Sequence, residues 1–337
     1  MRSAARAPAT AERGPAVALG EFELIRRYFS RVGADRDDVL LGVGDDAALV
    51  APPPAGQVLA MAVDTLVEGV HFLPDDPADS VGHRALAVNL SDLAAMGAAP
   101  AWCLLSLTLA RTDEAWLEGF AQGMASLARM HGVALIGGDT TSGRLTVAVT
   151  VVGFVPAAMA LRRDGARDGD VIFVSGSVGD AAAGLALRQG RIRVSGADAR
   201  ALQRRYLRPE PRVALGLALR GVASACIDVS DGLGGDLGKL CQASGVGADL
   251  QGDALPLSAE LCRAVSGGRR RGLALAGGDD YELLFTVPPD RCTGLERLAS
   301  VTPVTRIGRI RGGTGVRCDG MALEGEASHG FDHFREP

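Results

Sequence analysis

Glycine followed by aspartate recurs in this chain at points where an apolar run has just ended. The stretches are GVGDDAALV, with Asp45 and Asp46, IGGDTTSG with Asp139, SGSVGDAAAG with Asp180, and AGGDDYELLF with Asp279 and Asp280. MAVDTLVEGVHF (Asp64) and CIDVSDGLGGDLG (Asp228, Asp231) share the layout without a glycine directly before the acid. A carboxylate at the end of a buried strand, beside a flexible glycine, is placed to hold a hard cation. Two carboxylates about 4 Å apart repel by roughly 4 kcal/mol at an effective dielectric of about 20. A site that gathers many of these acids therefore needs magnesium-like ions, and polyphosphate is their usual companion ligand.

The 337 residues suffice for two domains, or one large one, each with its own core. With 47 % hydrophobic and 22 % charged residues the chain reads as soluble and globular. A net charge of −5 without a basic block argues against a nucleic-acid partner. No apolar run reaches the roughly 18 residues needed to span a membrane. The six cysteines are scattered singly, with no CxxC pair, as expected of reduced, mostly buried thiols in a cytosolic protein. The five histidines are equally scattered, which speaks against zinc.

Lys239 is the only lysine. Its context, GGDLGKL, lacks P-loop spacing and is read as helical surface. Any phosphate clamp made by a side-chain cation then falls to arginine, and Arg162-Arg163 is a candidate fork beside the plainer reading of a solvated patch. Residues 1–17, rich in Ala, Arg and Pro, read as a disordered extension rather than a targeting peptide.

The folded part opens with GEFELIRRYFSRVG, where Phe22, Ile25, Phe29 and Val32 share a helical face and Gly33 is a stop. Strands are predicted at 39–43, 58–63, 102–109, 134–136 and 145–155, and helices at 79–96 and 113–130, the latter capped by Thr112. The first half, 18–155, is thus α+β. The polar stretch PAAMALRRDGARDGD reads as a connector, and 156–337 alternates as an α/β layer structure. Its predicted elements are strands at 171–175, 225–229, 282–287 and 304–309 and helices at 180–188 and 233–243.

Each candidate site has a plain reading beside it. Asp45-Asp46 suit a metal-bridging turn or a capping turn. Asp92 continues the apolar stripe of Val81, Ala85 and Val88, a costly position unless the carboxylate is paired or metal-bound. GGDTTSG offers backbone N–H groups for phosphate with Asp139 for a cation, or a plain polar loop. Asp228, Ser230 and Asp231 stand where a strand enters a helix, where capping and metal binding are compatible. His71 is a candidate donor to a substrate oxygen, or a structural histidine.

GEFELIRRYF, GVGDDAAL, VDTLVEGVHF, ALAVNLSDLAAMGA, LIGGDTTSG, IDVSDGLGGDL, GGDDYELLFTVP and the late GFDHF together resemble the thiamine-monophosphate kinase family. That family sits in the aminoimidazole-ribonucleotide synthetase superfamily. The resemblance implies two domains: an N-terminal sheet-and-helix domain (18–155) that binds ATP and magnesium and dimerises through its sheet, and a C-terminal α/β domain (156–337) that closes on it. It implies a cytoplasmic homodimer that phosphorylates thiamine monophosphate with ATP, through several Mg²⁺ ions and direct in-line transfer.

Carried across by motif, Asp46, Asp64, Asp92, Asp139, Asp228 and Asp231 are the implied metal ligands. Gly138, Asp139, Arg163 and Ser230 are the implied ATP contacts, and His71, Asp279 and Phe331 the implied substrate contacts. No general base is assigned. Two departures stand out: Ala62 and Val63 replace hydroxyl residues common before Asp64, and Asp279 replaces the usual glutamate of G-G-E-D-Y-E-L. Other superfamily chemistries fit less well. No cysteine precedes Cys103, no lysine precedes Lys239, and the chain reads FREP where a hydrogenase-maturation relative carries a cysteine. A magnesium–nucleotide-binding protein without catalysis is the alternative from another class.

Overall fold

The computed structural model describes residues 20–293, 295 and 301–331. The extension expected at 1–17, and all of GFDHF beyond Phe331, lie outside the described residues. The elements run α1 (Glu21–Leu24), β1 (Val39–Leu41), β2 (Leu49–Val50), β3 (Gln57–Val67), α2 (Ala78–Ala95), β4 (Ala99–Leu109), α3 (Glu114–Met130), β5 (Ala134–Ser142), β6 (Thr146–Pro156) and β7 (Val171–Ser175). They continue α4 (Asp180–Arg188), α5 (Gly196–Leu207), α6 (Val213–Ala218), β8 (Ala225–Asp228), α7 (Leu233–Ser244), β9 (Gly247–Leu250), α8 (Ala259–Ala264), α9 (Gly267–Ala276), β10 (Leu283–Val287), β11 (Val304–Arg311), β12 (Val316–Cys318) and β13 (Met321–Ala322).

Two large sheets result. The first has the order β3-β6-β4-β5, antiparallel except for the β4–β5 pair. The second has the order β13-β12-β9-β11-β7-β10-β8 and is antiparallel except for β9–β12. Helices do alternate with strands along the second half, as expected. Its central pairings are nonetheless antiparallel, because β10 returns between β7 and β8 rather than following a βαβ crossover.

Helix α2 is buried on almost every side because it lies between the two halves. Its Leu86, Leu90 and Leu93 share one core with Val149 and Leu105 of the first sheet and Cys226, Leu283 and Phe285 of the second. Helix α3 crosses α2 at glycines: a Cβ on Gly82 would stand 2.0 Å from the Phe120 carbonyl oxygen, and one on Gly123 would stand 1.9 Å from that of Asp79.

Three local expectations are corrected. The cap of α3 is Asp113, whose carboxylate accepts from the Ala115 and Trp116 N–H groups, not Thr112. Helix α1 turns into a π-type segment at Ile25–Phe29, which breaks the period of 3.6, so Phe22 is 86 % exposed while Leu24, Tyr28, Phe29 and Val32 face inward. Lys239 is not plain helical surface but pairs with Asp231 and Asp236. All six cysteines are unpaired; Cys262 is exposed.

Candidate functional site

Three aspartates meet along the seam that α2 forms between the sheets. Asp64 stands on β3, Asp92 in the last turn of α2, and Asp228 at the end of β8, where α2 packs. The Asp64 N–H donates to Asn89 Oδ1 at 2.9 Å, which ties β3 to the helix. Ser91 Oγ donates to Asp228 Oδ2 at 2.7 Å, which ties the helix to β8. Burial raises the Asp92 carboxyl to about 8, with the charges of Asp228 and Asp64 adding and Arg163 opposing. Burial likewise raises Asp228, helped by the charges of Asp236 and Asp64, against the Ser91 hydrogen bond. Asp64 rises through burial and the charge of Asp231. The group is thus short of positive charge.

The start of α7 organises the second edge of this seam. Asp236, almost fully buried, accepts from both the Ser230 and Asp231 N–H groups at 2.9 Å and from Lys239 Nζ at 2.8 Å. Lys239 also pairs with the Asp231 carboxylate. The Ser230 carbonyl accepts the Asp279 N–H, and the Asp231 carbonyl accepts the Phe331 N–H at 3.3 Å. The Phe331 backbone is thereby held beside an implied metal ligand.

Asp46 and Asp139 lie elsewhere. With Asp45, Ser106, Gly138, Ala148 and Thr150 they line a groove of about 310 Å³. The register explains the separation: Asp64 pairs with Val149 and Leu105 with Gly138, whereas Thr65, Ala148, Ser106 and Asp139 share the next row. Successive rows point to opposite faces. Asp64 therefore faces α2, and Asp139 faces the outer side of the sheet. The six implied metal ligands fall into an inner group, Asp64, Asp92, Asp228 and Asp231, and an outer pair, Asp46 and Asp139. Gly138 takes a φ of 150°, and a Cβ there would stand 1.8 Å from the Leu105 carbonyl oxygen, so only glycine lets β5 approach β4 at the groove floor.

Among the described residues no three histidine, cysteine or acidic side chains stand close enough to hold a metal ion by themselves. The donor set still fits magnesium. That ion is bound through one or two carboxylates, with water and phosphate oxygens completing the shell, and Asp92 and Asp228 are raised in part by neighbouring carboxylate charge, which a cation relieves.

On the substrate-implied side, His71 Nδ1 accepts the Val67 N–H at 2.9 Å and so closes its own turn. Asp279 pairs with Arg84 at 2.5 Å. Arg163 is exposed near Asp92. Asp180, read as a helix-start residue, does open α4. The N–H groups at that helix start are taken by Asp280, which accepts from Gly179 and Ala181.

Sequence reasoning overlooked Asp236, Arg84 and Glu282. Burial would raise Glu282, but the hydrogen bonds and charges of Arg212, with the charge of Arg205, hold its carboxyl below the usual range. Arg84 had a signal: a guanidinium directly before the run ALAVNL, one turn from Val81 and Val88 on the predicted helix, must meet a partner if it is buried.

Residues 44–155 match the AIR synthase related protein N-terminal domain, and residues 167–319 match the C-terminal domain. The chain is 50 % identical to the thiamine-monophosphate kinase of Salmonella typhimurium, over 95 % of this chain and 100 % of that one. Its fold is similar to the crystal structure of thiamine-monophosphate kinase from Stenotrophomonas maltophilia, with a TM-score of 0.82 and 50 % identity, covering 86 % of this chain and 93 % of that one. A structure described as AaThiL complexed with AMPPCP and TMP matches with a TM-score of 0.76 and 36 % identity, covering 86 % and 91 %.

Proposed function

The chain belongs to the thiamine-monophosphate kinase family of AIR synthase related proteins, and from that membership we propose that it converts ATP and thiamine monophosphate to ADP and thiamine diphosphate. The observation that carries this reading is the seam of Asp64, Asp92 and Asp228, all raised by burial and by the charge of neighbouring aspartates. Such a set suits a reaction that brings two polyanions together. The relative solved with AMPPCP, an ATP analogue, and TMP supports the two substrates.

In the transfer, an oxygen of the acceptor phosphate forms the new P–O bond and the bond between the γ-phosphorus and the β–γ bridging oxygen breaks, in line. A phosphate's second pKa is near 6, so the acceptor is largely ionised at neutral pH and no general base is required. Magnesium, when bound, neutralises phosphate oxygens and fixes their orientation.

Asp64, Asp92, Asp228 and Asp231 would hold it on the inner side, and Asp46 and Asp139 at the groove. Gly138, Asp139, Arg163 and Ser230 bind ATP in this reading, the glycine leaving room for phosphate against the backbone. His71, Asp279 and Phe331 meet thiamine monophosphate. Residues 18–155 form the ATP- and magnesium-binding, dimerising unit and 156–337 the closing unit. The protein acts as a cytoplasmic homodimer, supported by its unpaired cysteines and the exposed apolar residues of β3. Among the described residues no helix is long and apolar enough to cross a membrane.

A coupled assay of ADP release with and without thiamine monophosphate tests the reading. Release that depends on thiamine monophosphate and magnesium, and is lost in Asp139→Asn, is expected. ATP binding without substrate-dependent release would leave a nucleotide-binding protein instead.

A further inference from the structure

We propose that Arg84 is the positioning residue for Asp279, holding the substrate-side loop in place from the helix that carries Asp92; this rests on the reading of Asp279 as a thiamine-monophosphate contact. Arg84 lies in the middle of α2 with its side chain only 4 % exposed. It reaches out of the first half into the second. One amino group pairs with Asp279 Oδ1 at 2.5 Å, the other donates to the Tyr206 carbonyl at 2.6 Å, and the guanidinium lies 4.7 Å from the Tyr206 ring centroid.

Asp279 has reason to need a hold. Its φ is 71° and that of Tyr281 is 50°, left-handed conformations that cost non-glycine residues free energy and persist only where the surroundings enforce them. Backbone hydrogen bonds from Asp279 to Ser230 and from Tyr281 to Val229 fix the loop to the end of β8. The carboxylate itself is fixed by Arg84, with Tyr281 Oη at 3.3 Å. It remains 28 % exposed, so it is both anchored and reachable.

Stability alone does not account for the arginine. Its Nε has no hydrogen-bond partner among the described residues. A buried charge with an unpaired donor is a poorer filling than an apolar side chain of the same volume. The contact chain also extends backward. Tyr206 Oη donates to Asp76 Oδ2 at 2.9 Å, and the same oxygen accepts the Leu73 N–H. Arg84 thus joins the loop after His71 to the loop of Asp279, the two segments read as meeting thiamine monophosphate.

The test is steady-state kinetics on the full chain, varying each substrate at saturating levels of the other. The proteins are wild type, Arg84→Met, Arg84→Lys, Asp279→Asn and the Arg84→Met/Asp279→Asn double variant. A misplaced anchor costs on the order of ten- to a hundredfold, so Arg84→Met is expected to raise KM for thiamine monophosphate by that factor. KM for ATP should stay nearly constant, Arg84→Lys should recover part of the loss, and the double variant should be no worse than the worse single one. Equal rises in both KM values, a fall in Tm alone, or single effects that multiply in the double variant would overturn the proposal. If Arg84→Met does not fold, Arg84→Lys decides: a selective rise in KM for thiamine monophosphate supports the proposal, and an unchanged KM removes it. A wild type without thiamine-monophosphate-dependent ADP release removes the functional reading and the proposal with it, whereas an active wild type with unchanged Arg84 variants removes the proposal alone.

Discussion

Asp92 sits in the last turn of the largely buried helix α2, and its carboxyl is raised to about 8 by burial and the neighbouring charges of Asp228 and Asp64. A carboxyl raised in the folded state binds its proton more tightly there than in the unfolded chain. The stability this contributes is full below the ordinary carboxylate pKa of 3.8 and is lost progressively as pH rises to about 8. Without added cation, Asp92→Asn is therefore expected to match wild type in Tm near pH 4 and to exceed it near pH 8. Magnesium should raise the wild-type Tm at pH 8 and raise that of Asp92→Asn less. Thermal melts at both pH values, with and without magnesium, check this. A variant that loses stability at pH 8 would mean that the Asp92 charge is already compensated inside the protein.

At the scale of elements, glycine decides where helices and strands touch. Gly123 of α3 faces the Asp79 carbonyl across the α2 crossing, and any Cβ there must push two buried helices apart. Gly123→Ala should cost about 1–3 kcal/mol as overpacking. Gly268 of α9 has open space where a Cβ would go, so Gly268→Ala should gain about 0.4–1 kcal/mol through the unfolded chain. Urea midpoints at unchanged slope measure both.

The same contrast marks what the amino-acid sequence could reveal. Strand β7 and helix α4 begin and end where polar punctuation bounds an apolar run, and both were legible. The π-type turn at 25–29 was not, since a single extra residue per turn leaves no periodic trace in so short a helix. Asp64 and Asp139, read from sequence as lying at strand ends, stand inside β3 and β5, which run on to Val67 and Ser142. Which face each takes was not legible, because that depends on a register set by distant partners such as Val149 and Ser106. Arg84 escaped for a related reason, as its partner Asp279 is brought from another element, whereas the partners of Asp236 all lie within six residues of it.

For the whole molecule, the outer face of the first sheet along β3 is an exposed apolar surface. Edge strand β3 runs for 11 residues and presents Leu59, Met61 and Val63 outward, the last two 63 % and 61 % exposed. Leu40 and Leu49 of the short β1–β2 ladder are also exposed. Monomers rarely leave a long apolar edge strand uncovered, because its free backbone groups invite pairing. The groove of Asp46 and Asp139 opens on this same face, by the register that sets Asp139 in a row with Ser106, Ala148 and Thr65. A second copy seated there would cover the apolar strand and bring another chain up to the groove. Sedimentation equilibrium at micromolar concentration should therefore give twice the chain mass of 34.7 kDa. Met61→Asp, which puts a charge in the middle of the strand, should shift the mass toward the monomer. Because the groove would lose its cover, KM for ATP should rise in parallel with dissociation and recover as protein concentration is increased. A wild type that sediments as a monomer while fully active would separate the groove from any second copy and leave the exposed strand without a role in catalysis.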